Sequence, residues 1–137
     1  MAKMWDGIMI LDLKKPFGLD IYISNNVPIG IIKDSIVQVF GLSANNIWDG
    51  DAVVIGEMLE HGVPDAWAVL WATGDADFPV KVDIEVNEGD NPRLVLGELS
   101  RTLQSEIAIP DDESENPYAL VVFMPDGTTK PSFMKAA

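Results

Sequence analysis

Residues 80–110, VKVDIEVNEGDNPRLVLGELSRTLQSEIAIP, hold the pattern on which the fold turns. Val80, Val82, Ile84 and Val86 alternate strictly with Lys81, Asp83 and Glu85. In a strand successive side chains point to opposite faces, so this is a strand with one dry and one wet face. Asn91-Pro92 then supplies a helix start. Asn accepts from the free N–H groups of a first turn, and Pro has no N–H to leave unpaired there. Leu96, Leu99, Leu103 and Ile107 recur at intervals of three and four, which predicts one apolar helical stripe closed by Pro110.

Working outward, a polar loop at 111–116 leads to Tyr118-Ala119-Leu120-Val121-Val122-Phe123-Met124. That run is apolar on both faces, which predicts a central strand, and Pro125-Asp126-Gly127 predicts a turn. Upstream, Trp67, Val69 and Trp71 alternate with small residues and read as a strand whose two Trp share a core face. The first half has the same order. An apolar run at 8–13, a turn at 14–18 and the alternating Leu19, Ile21 and Ile23 predict a hairpin. Asn25 and Asn26 precede Pro28, and Ile29, Ile32, Ile36, Val39 and Phe40 form a helical face stopped by Gly41. A loop at 43–51 and a short buried strand at 52–55 follow. The order hairpin–helix–loop–strand thus occurs twice, about 60 residues apart, and such self-similarity points to pseudo-symmetric units. The expected fold is α+β: two ββαβ units at 1–73 and 74–137, helices packed on mostly antiparallel sheet, in one globule or two joined lobes.

Residues 7–71 resemble the ubiquitin-like β-grasp family. The resemblance is carried by the element order and by Leu59-Glu60-His61-Gly62-Val63-Pro64-Asp65 ahead of the strand at Trp67. Members that conjugate or carry sulfur act through a C-terminal Gly-Gly. This sequence ends Phe133-Met134-Lys135-Ala136-Ala137, so the resemblance implies a non-catalytic binding module or assembly subunit. A shorter stretch, 96–110 with Glu115-Asn116 and Ala119-Leu120, is similar to barstar-like ribonuclease inhibitors. It departs from them where 121–124 reads as a strand and their pattern has a helix.

Charge gives the functional pointer. Between Asp49 and Glu115 there are 17 acidic and three basic residues, a net of −14, while the remainder carries +1. A field of that sign repels nucleic acid and anionic membranes and attracts basic surfaces. The nine basic residues show no clustering beyond Lys14-Lys15, and nucleic-acid binding needs more. With 47% apolar residues the chain can build a core, so its acidity does not make it disordered. The 137 residues include no Cys, which removes disulfides and thiolate sites and fits a cytoplasmic setting. No signal peptide is expected from MAKMWDGIMILDLKK, and no apolar run reaches the length of a membrane helix.

No catalytic constellation is legible, and neither an enzyme nor a cofactor is expected. The single His, His61, lies in a Glu-His-Gly turn with no nucleophile implied beside it. Trp48 stands next to Asp49 and Asp51, an aromatic among acids of the kind that anchors a basic partner. Asp111, Asp112, Glu113 and Glu115 form an acidic loop able to steer association. These seven residues are the expected site for a basic protein partner, with no nucleic acid and no membrane. The chain would serve as an adaptor or assembly subunit, or as an inhibitor such as an immunity protein or nucleic-acid mimic. The alternative is a divalent-metal enzyme or sensor using paired carboxylates, of which Asp75 and Asp77 are the better candidates. A third reading makes the acidity solubilising only.

Overall fold

The computed structural model describes residues 2–3, 9–10, 17–50, 60, 65–86 and 92–134. Two short strands, β1 (Ala2–Lys3) and β2 (Met9–Ile10), pair in parallel. The other strands are β3 (Phe17–Ile23), β4 (Ile47–Asp49), β5 (Trp67–Ala72), β6 (Val80–Val86), β7 (Ile107–Pro110), β8 (Ala119–Phe123) and β9 (Thr129–Phe133). These seven form one sheet in the order β4-β5-β6-β3-β7-β8-β9, with β4 and β5 parallel and every other pair antiparallel. Among the described residues are two twelve-residue helices, α1 (Ile29–Phe40) and α2 (Pro92–Leu103).

The expected pair of ββαβ units is overturned. Among the described residues, β3–β9 form one seven-stranded mixed sheet, apart from the β1–β2 pair, with two short α-helices. The described neighbours of β3 are β6 and β7, so the ladder predicted between 8–13 and 19–23 is replaced by pairings far along the chain. β3 and β5 both run antiparallel to β6 and lie on either side of it. α1 leads from β3 to β4, with β6 and β5 between them, while α2 links the parallel strands β6 and β7 around β3. This is the split β-α-β arrangement, and it interleaves the halves that the sequence order suggests are separate. A period-two pattern fixes which face a residue takes but says nothing of which strand lies alongside.

α1 stops where expected. Gly41 takes φ 71°, a conformation that costs any residue with a Cβ, and its N–H closes on the Val37 carbonyl at 3.0 Å. Asn25 and Asn26 do not cap it. Asn25 is itself a left-handed turn residue at φ 60°, and Pro28 holds the N-cap position without a side-chain bond. α2 ends one turn earlier than the stripe predicts. Gln104 reverses the chain at φ 52°, and Ile107 opens β7. The strand at 52–55 and the cap at Asn91 lie outside the described residues.

Ile21, Ile23, Val82, Ile84, Ala68, Leu70 and Ile107 line one face of the sheet and share a core with Ile32, Ile36, Leu96 and Leu99 of the helices. The opposite face is covered only in part. There Phe78, Ala108, Leu120 and Val122 make a small second cluster, with Tyr22, Met124 and Met134 against it.

Candidate protein-interaction face

Register sets the composition of that second face. One cross-strand row runs Trp48, Val69, Asp83, Asp20; the next runs Trp71, Lys81, Tyr22, Ala108, Val122, Lys130. Trp67 shares a third row with Glu85 and Gly18. Asp20 and Asp83 thus stand directly opposite one another on β3 and β6. Like charges so placed repel. Lys81 mediates between them, its Nζ 3.2 Å from Asp83 Oδ1 and 4.0 Å from Asp20 Oδ1. Trp71 Nε1 donates to Asp83 Oδ2 at 2.9 Å. The Trp71 ring in turn lies on the backbone at Gly50, where any Cβ would strike it.

The electrostatics follow from this crowding. Desolvation raises the Asp20 carboxyl above its usual range, and Asp83 and the more distant Asp112 add to the rise against the opposing pull of Lys81. For Lys81, burial works to lower the ammonium, but Asp83 and Asp20 outweigh it and the net direction is up. Asp83 Oδ1 is buried without an aligned hydrogen bond, so the nearby Lys81 charge is its compensation. Trp67 Nε1 is buried with no hydrogen-bond partner among the described residues. A shallow pocket of about 230 Å³ opens here, with Asp20, Trp67, Lys81, Asp83 and Glu85 in its wall.

The residues expected at the site are distributed by the pleat. Trp48 points to this face, whereas its neighbour Asp49 points to the helix side and pairs with Lys33 of α1 at 3.1 Å. The two are adjacent in sequence and on opposite sides of the sheet. Asp51 and His61 lie outside the described residues. Asp111, Asp112, Glu113 and Glu115 sit in the β7–β8 loop, where side chains hold the backbone. Asp111 Oδ1 accepts from Glu113 N at 3.2 Å, Ser114 Oγ from Asn116 N at 3.1 Å, and Asn116 Oδ1 from Tyr118 N at 2.9 Å. Asp112 acts on Asp20 electrostatically, so the loop and the strand carboxylates belong to one negative field.

Asp75 is used by its own turn. Its Oδ1 accepts from Asp77 N at 2.7 Å and Phe78 N at 3.2 Å, while Thr73 Oγ1 donates to the Phe78 carbonyl at 2.5 Å. Among the described residues no group of three or more His, Asp or Glu is placed to hold a metal ion. Nor is any described helix long and apolar enough to cross a membrane. Beyond this turn a larger groove of about 750 Å³ runs toward Val122, Lys130 and Phe133.

Asp20, Trp67 and Lys81 were not singled out from the sequence. Alternation alone marks Lys81, Asp83 and Glu85 as wet-facing, but their meeting with Asp20 depends on β3 lying beside β6. Trp67 and Trp71, expected in the core, are half-buried on the wet face, while Ala68 and Leu70 point inward. Comparisons with protein-family models, with curated proteins and with solved structures gave no match. The resemblance to the β-grasp family therefore rests on the sequence alone.

Proposed function

We propose that the chain is a non-catalytic module that binds a basic protein through the β3–β6 face and the acidic loop beside it. The reading is supported chiefly by the pocket lined by three carboxylates, Asp20, Asp83 and Glu85, a single ammonium, Lys81, and the Trp67 side chain. A cationic side chain entering there gains two charge contacts and an aromatic face. Asp111, Asp112, Glu113 and Glu115 extend the field toward solvent, which raises the rate of encounter more than the final affinity. Trp48 lies in the same cross-strand row as Asp20 and Asp83 and serves as an apolar flank. The role is that of an adaptor, assembly subunit or inhibitor, in a cytoplasmic setting.

An oligo-arginine peptide tests the surface without knowledge of the partner. Binding followed by tryptophan fluorescence should weaken steeply with salt. A variant carrying Asp111→Asn, Asp112→Asn and Glu113→Gln should bind more slowly and with a shallower salt slope, and Asp20→Asn should weaken the complex itself. Affinity and salt slope unchanged in both variants would overturn the reading. Capture from host lysate, eluted by salt, would then name the partner.

A further inference from the structure

We infer that the groove of about 750 Å³ at the far end of the wet face is a binding site for a free apolar α-amino acid. The volume lies in the range of small-molecule sites. Three walls build it, each fixed by its own bonds. At the end of β3, Ser24 Oγ donates to the Glu106 carbonyl at 2.9 Å and meets Ser105 Oγ at 3.1 Å. The second wall is the turn stapled by Thr73 and Asp75. The third is β9, laddered to β8. A cavity already held open loses little entropy when a ligand enters.

The lining selects the ligand. Phe78 and Val122 form an apolar floor, and Phe133, 61% exposed, stands at the rim. Glu106 Oε2 and Lys130 Nζ lie 3.6 Å apart. Both are half-exposed, so their mutual attraction is weak and each remains available to a second partner. An α-amino acid carries its ammonium and carboxylate on one carbon, at a separation comparable to that 3.6 Å. Laid head to tail on the pair, its ammonium meets Glu106 and its carboxylate meets Lys130, while its side chain covers Phe78 and Val122. Asn25 and Asn26 place amide groups at the same rim. This site is separate from the basic-partner surface and stands or falls independently of it.

Backbone amide NMR during titration with L-phenylalanine tests the assignment. Saturable shifts are expected at residues 24–26, 76–78, 106, 122, 130 and 132–133, with the rest of the spectrum unmoved. Glu106→Gln and Lys130→Met should each weaken binding by about tenfold or more, the loss of one charge-assisted contact. Phenethylamine and 3-phenylpropionate, which keep one charge each, should bind weaker than L-phenylalanine by a similar factor. No saturable shift up to the solubility limit overturns the proposal, as does equal binding of either singly charged analogue or shifts confined to another surface. Unchanged spectra of the variants away from the groove establish that both still fold.

Discussion

Ser100 sits at 0% exposure where α2, β7 and β8 converge, and its hydroxyl lies 2.6 Å from the Ser105 carbonyl and 2.8 Å from that of Phe123. One hydroxyl proton serves two acceptors. Ser100→Ala leaves a buried carbonyl short of a donor and should cost about 1–3 kcal/mol, read as a lower urea midpoint at unchanged m-value. Asp20 makes the opposite case, a polar group whose surroundings disfavour its charge. Its folded pKa is raised, so the native state holds the proton more tightly than the unfolded chain. Its contribution to stability therefore falls as pH rises from the unperturbed 3.8 through the raised value, and the loss persists at neutral pH. Asp20→Asn should remove that part of the slope and leave the protein at least as stable at pH 7. Chemical denaturation across this acid range checks it, and an unchanged slope would show that Asp20 titrates alike in both states.

At the scale of the element, β9, the last strand of the described sheet, illustrates how an edge is protected. Met134 N donates to the Tyr118 carbonyl at 2.7 Å, and Met124 N to the Thr128 carbonyl at 2.8 Å. Even-numbered residues of β9 thus bond inward to β8, and Thr129, Pro131 and Phe133 face outward. Pro131 falls where its missing N–H disturbs no internal bond and denies a donor to any added strand. Pro131→Val should leave the fold intact and increase concentration-dependent self-association in sedimentation velocity. This strand was not legible in the sequence. Thr-Lys-Pro-Ser-Phe has neither alternation nor a run of β-branched residues, and only β8 alongside makes a strand of it. β6 is the contrary case, because four apolar residues at every second position leave no other periodic structure to satisfy them.

For the whole molecule the net charge of −13 is a cost borne by the compact state, since folding draws like charges together. Added sodium chloride should raise the melting temperature and level off near molar salt, where the Debye length falls to about 3 Å. A melting temperature independent of salt would mean that the folded surface is already internally compensated. What the sequence determined by itself is local. It fixed α1 with its Gly41 stop, the start of the α2 stripe, the wet and dry faces of β6, the doubly buried β8, and the sign of the surface charge. Each follows from spacing or composition within a dozen residues. Only the tertiary structure decided that β3 lies between β6 and β7, and that Asp20 faces Asp83 across Lys81. It also decided that Trp48 and Asp49 part to opposite sides, and that three distant segments enclose the groove. The reason is that apolar periodicity specifies which side of a strand is buried, while the partner of each strand is chosen by the global packing of helices and sheet around one core.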